Sequence, residues 1–87
     1  MNADTPTPTQ TLVKELGGLT AAARLFEIRT PSVTDWLKRG IPAARLQTLR
    51  AWARLPDSER LPEPTITPKR VRAALRAANL SEPRRRA

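Results

Sequence analysis

The stretch Leu19–Gly40, LTAAARLFEIRTPSVTDWLKRG, leaves this chain few choices of fold. It predicts two short helices joined by a tight turn. The second has a defined start: Thr30 is a good N-cap, and Pro31 suits the first helical position, where a missing N–H costs nothing. Val33, Trp36 and Leu37 follow at i, i+3 and i+4 and make one apolar stripe. Gly40 supplies the stop, because glycine takes up backbone angles past a helix end that other residues avoid. The first helix is expected from about Thr20 to Phe26, with Ala22, Ala23 and Phe26 turned inward, and the turn at Glu27–Arg29. Pro31, Thr34, Asp35 and Lys38 remain on the outer face of the second helix.

Further helices flank this pair. Thr7-Pro8-Thr9-Gln10 has the form of a capping box and opens a helix to about Leu16, burying Leu12, Val13 and Leu16 before Gly17-Gly18 ends it. Pro42 is placed to open another, reaching about Leu55, with Leu46, Leu49 and Ala53 on its buried stripe and Trp52 at the edge. Arg45, Arg50 and Arg54 fall on its flanks. Four prolines between Pro56 and Pro68 exclude one continuous helix there and allow at most a turn around Ser58–Leu61. Thr67-Pro68 repeats the cap-plus-proline signature and starts a last helix to about Asn79. Its Val71, Leu75 and Ala78 recur at i, i+4 and i+7, a face that either packs on its own subunit or meets a partner chain. The expected organisation is a disordered N-terminus over 1–6, a helical unit over 7–55, a proline-rich linker over 56–67, a C-terminal helix over 68–80 and a basic tail over 81–87. The fold class is all-α, a small domain of four to five helices.

Eighty-seven residues allow one small core and no buried substrate cavity. The chain has no cysteine and no histidine, so disulfides, thiolate metal sites and the commonest general base are absent. Its eight carboxylates are scattered, and Gly17-Gly18 fits no phosphate-cradling loop. An enzyme, a cofactor and a small-molecule substrate are therefore not expected. No apolar run approaches the ~20 residues of a spanning helix. MNADTPTPTQ lacks the pattern of a signal peptide, so no membrane association and a cytoplasmic location are the expectations. Sixteen Lys and Arg against eight Asp and Glu give a net charge of +8, which favours polyanionic partners. An arginine-dressed ordinary surface would carry the same charge.

The central stretch resembles the helix-turn-helix of the Cro and phage-repressor family, including the YdaS-type regulators. The resemblance runs from about Leu12 to Leu49 and rests on several positions in one register. Thr20 opens the first motif helix, small Ala23 lets the helices cross closely, Ile28 follows the turn, and β-branched Val33 plugs the core. Trp36, the basic pair before Gly40, and Ile41-Pro42 look like the YdaS-type subgroup. The chain departs from the family at Glu27, which stands where glycine is usual; a left-handed conformation there would cost on the order of 1 kcal/mol.

The resemblance implies a lambda-repressor-like fold and a Cro-like repressor that binds double-stranded DNA as a homodimer at an inverted-repeat operator, with phage or prophage associations. The second motif helix would lie in the major groove and present Arg29, Thr30, Pro31, Thr34 and Asp35 to the bases. Arg29 suits guanine O6 and N7, Asp35 suits cytosine N4, and the threonine methyls suit thymine. Asp35 has an alternative partner in Lys38 or Arg39 on its own helix. Backbone N–H groups around Thr20, with Lys38, Arg39 and Arg45, would position the protein on phosphates. Arg24 is either a further contact or a solvated helix residue, and Arg84–Arg86 either adds non-specific affinity or is uninvolved. Trp36 and Trp52 have the chemistry of stacking platforms, but their places on or beside apolar stripes favour packing. The candidate dimer surface is Val71, Leu75 and Ala78 with the edge near Trp52. The competing function is a protein-interaction module, antitoxin-like or a phage-encoded adaptor, whose outer helix meets an acidic protein surface.

Overall fold

The computed structural model describes residues 6–81, and these form five helices with no strand among them. They are α1 (Pro8–Leu16), α2 (Leu19–Phe26), α3 (Thr30–Arg39), α4 (Ala43–Ala53) and α5 (Pro68–Ala77). The protein is thus a small all-α domain. No helix in the described residues is long and apolar enough to cross a membrane. Residues 1–5 and the Arg84–Arg86 tail lie outside the described part.

The helix ends follow local chemistry. At α1 the Gln10 N–H donates to Thr7 Oγ1 at 3.1 Å and the Thr7 N–H donates to Gln10 Oε1 at 2.8 Å, which completes the capping box. Thr67 Oγ1 likewise accepts the Arg70 N–H at 3.2 Å at the start of α5. Three helices end in one way. Gly17, Glu27 and Asn79 each take a left-handed conformation, and the residue after each donates its N–H back five residues, Gly18 to Val13, Ile28 to Ala23 and Leu80 to Leu75. This arrangement satisfies carbonyls that a helix end otherwise leaves bare.

Helix α1 is the hub, packed against α2, α3 and α5, while α4 rests on α5. Leu12, Leu16, Leu25, Val33, Leu49, Ile66 and Val71 are almost fully buried, with Trp36 and Phe26 close behind. Each aliphatic side chain so buried contributes about 1.5–3 kcal/mol by removal from water. Thr9, between the two halves of the capping box, is also buried; its Oγ1 accepts the Ile41 N–H at 3.2 Å and ties the end of α3 to α1.

Three expectations need correction. Val71, Leu75 and Ala78 are no free dimer face: they are 0%, 2% and 5% exposed because α5 lies on α1 and α4 of its own chain. The segment 56–67 is no solvated linker. Leu61 and Ile66 join the core, and buried Glu63 places its carboxylate 3.9 Å from the Arg24 guanidinium. The boundary of α3 also shifts by one residue. Arg29 takes the N-cap place with no side-chain cap bond, and Thr30 is already helical.

Candidate nucleic-acid interface

The outer face of α3 is set by what its inner face buries. Val33 is fully buried and Trp36 is 5% exposed, with the Trp36 ring edge-on to Phe26 of α2 at 5.2 Å between centroids. Edge-to-face pairs add about 0.5–1.5 kcal/mol beyond area burial and fix the rotation of one helix against the other. Residues 27–29 join α2 to α3 through Glu27 at φ 57° and ψ 43°. The turn is the left-handed one, with glutamate in it.

With that rotation fixed, Thr30, Pro31, Thr34, Asp35 and Lys38 line a single shallow depression along α3. Pro31, Asp35 and Lys38 are exposed, and Thr30 and Thr34 half-buried. The Thr34 hydroxyl donates to the Thr30 carbonyl at 3.3 Å. Its proton is therefore committed, which leaves the methyl group and the oxygen lone pairs for an outside partner. Arg29 is exposed at the N-cap, beyond the depression.

Asp35 Oδ1 lies 3.3 Å from Arg39 Nε, so its partner is Arg39 rather than Lys38. The pair is exposed and contributes only about 0.3–0.5 kcal/mol, but it sets a cation beside the one carboxylate of the depression. Arg45 of α4 stands on the other flank, its guanidinium 5.5 Å from the centre of the Phe26 ring. There it shares a second concave surface with Ile28, Pro31, Ser32 and Asp35. Thr20 is exposed near the start of α2, where Gly18 is the N-cap and no side chain caps the helix.

The structure thus brings together four of the five expected base-reading residues, and sets Lys38, Arg39 and Arg45 around them. Sequence reasoning missed Ser32, exposed beside Pro31. Its position three residues before Asp35 was the available signal. Trp36 belongs to the core, and Trp52 is half-buried with its ring 5.3 Å from Phe26, so neither is a free stacking platform. Arg24 is paired with Glu63 and does not stand alone in solvent. Among the described residues no group of three His, Cys, Asp or Glu side chains is placed to hold a metal ion. Comparison with protein-family models, curated proteins and solved structures finds no match to this chain.

Proposed function

We propose that this chain is a sequence-specific double-stranded DNA-binding transcription regulator, similar to Cro and YdaS-type repressors. It would work in the cytoplasm and act by occupying an operator. The carrying observation is the α3 depression: five polar or small side chains on one helix face, held in fixed rotation by Val33 and Trp36, with cations on both flanks. A helix presented in this way fits a major groove. Thr34 offers a methyl to thymine, Asp35 an acceptor to cytosine N4, and Arg29 a fork to guanine. Lys38, Arg39, Arg45 and the uncapped N–H groups at the start of α2 would meet phosphates.

A monomer of this size makes few base contacts, so we propose a homodimer. Its contact must avoid the α5 stripe, which the chain already uses, and the edge near half-buried Trp52 is the remaining candidate. Selection of bound duplexes from a random pool tests the reading. The expected product is an inverted repeat with half-site centres about one helical turn apart. Failure to enrich any duplex would transfer the α3 face to a protein partner, as in the interaction-module reading.

A further inference from the structure

Helix α5 carries four cations, Lys69, Arg70, Arg72 and Arg76, and no carboxylate. Its Val71, Ala74 and Leu75 are buried against α1 and α4, which turns Lys69, Arg70, Ala73, Arg76 and Ala77 outward, all exposed. At 100° per residue these five fall within about a third of the helix circumference. The charge does nothing for the helix itself. Lys69 and Arg70 stand in the first turn, where the positive end of the helix repels cations, and Arg72 and Arg76 repel each other one turn apart. Arg72 is already engaged by the Ala53 carbonyl at 2.9 Å and by the Asp57 carboxylate. So are its neighbours in the α4–α5 cavity of about 270 Å³: Arg50 Nε donates to the Leu80 carbonyl at 3.1 Å, and Arg54 has a partner of its own. The outward row is different. Among the described residues Lys69 and Arg76 form no ion pair, and Arg70 gives one of its donors to the Glu15 carbonyl at 3.5 Å. Glu15 of α1 borders the row in a shallow hollow with Thr67, Lys69, Arg70 and Ala73.

This face is separate from the α3 depression. Helices α3 and α5 each pack on α1 and not on each other, and the two surfaces share no residue. The row offers no aromatic or large apolar side chain for a protein partner to bury in the centre of an interface. It does offer cations separated by alanine methyls, over which a sugar-phosphate backbone can approach closely. Lys69 and Arg76 are seven residues apart, about 10.5 Å along the helix, a length that spans about three phosphates of one strand.

We propose that the outer face of α5 is a second nucleic-acid surface, which binds the phosphate backbone without regard to sequence through Lys69, Arg70 and Arg76. It goes beyond the α3 reading and does not depend on it. The probe is a dye-labelled duplex of about 20 base pairs with no selected site, titrated against the full chain by fluorescence anisotropy at several salt concentrations. Lys69→Ala/Arg76→Ala should keep its helicity and melt no lower than wild type, because alanine favours a helix and two repelling charges are gone. It should bind the duplex at least about tenfold more weakly at about 0.1 M salt, with a slope of log K against log salt flatter by about 1.8. The control Lys14→Ala/Arg60→Ala removes the same charge from exposed positions outside both faces, and should change binding far less. Glu15→Gln removes the carboxylate that borders the row and should tighten binding. Thr34→Ala should leave this binding unchanged, so failure of the α3 reading and failure of this one are told apart. The proposal is overturned if Lys69→Ala/Arg76→Ala binds the duplex like wild type, if the control loses as much, or if Glu15→Gln weakens binding. It is also overturned if wild type ignores the duplex and binds a glutamate-rich peptide instead, which would make the α5 face a site for an acidic protein.

Discussion

Val33 and Thr34 are neighbours in sequence with opposite fates, and they separate stability from recognition. Val33 is fully buried, so Val33→Asp would leave an unpaired charge in the core. That costs several kcal/mol, comparable with the whole stability of a small domain. The expected outcome is loss of helical circular dichroism and of a cooperative melt. Thr34→Ala should melt close to wild type, because the lost hydroxyl bonded only its own helix, and should weaken duplex binding through the missing methyl and oxygen. Equal melting of Val33→Asp and wild type would show that the register of α3 is wrong. The left-handed positions give a second pair. Glu27→Gly should stabilise by up to about 1 kcal/mol, since glycine takes φ 57° without steric cost. Gly17→Ala should destabilise: its φ is 118°, and a Cβ there would lie 3.0 Å from the Ala21 Cβ. Urea midpoints of the two variants relative to wild type measure both effects.

At the level of elements, α5 changes the interpretation of Leu75→Glu. A dimer helix would tolerate this change and yield a folded monomer. Because Leu75 is 2% exposed beneath α1 and α4, the expected result is an unfolded or molten chain, visible as lost near-ultraviolet signal from Trp36 and Trp52. A folded, monomeric Leu75→Glu would contradict this packing. What was legible in the sequence divides along the same line. The Thr7–Gln10 box, the Thr67 cap, the α3 apolar stripe and the breaks at Gly17 and Gly40 were legible because their partners lie within a turn or two. The distant pairings were not. Thr9 to Ile41 spans 32 residues, Arg50 to Leu80 spans 30, and Arg24 reaches Glu63 from another element. Three prolines mark 56–67 as non-helical, yet Leu61 and Ile66 are buried in the core that the helices build together. The same holds for the α3 face. Helical spacing places Thr30, Pro31, Thr34, Asp35 and Lys38 on one side, but choosing Arg39 over Lys38 as the Asp35 partner requires the side-chain geometry.

On the scale of the whole molecule, the chain carries +8, and two groups of its arginines and lysines fall on different sides of α4. One set surrounds the α3 depression; the other lines the α4–α5 cavity. Such an excess steers the protein toward polyanions in general, and the arrangement on α3 would turn that attraction into a registered fit. Lys38 and Arg39 differ in what their removal exposes. Lys38→Ala deletes a cation alone, whereas Arg39→Ala also uncovers Asp35, so the arginine variant should lose more duplex affinity. The most direct measurement is the affinity for a selected duplex as a function of salt. A dimer that neutralises roughly ten phosphates predicts a slope of log K against log salt near −9, from about −0.9 per phosphate. Each single variant should flatten that slope by about 1 in each protomer's share while leaving the preferred sequence unchanged. An affinity independent of salt, or no affinity for any duplex, would contradict the account.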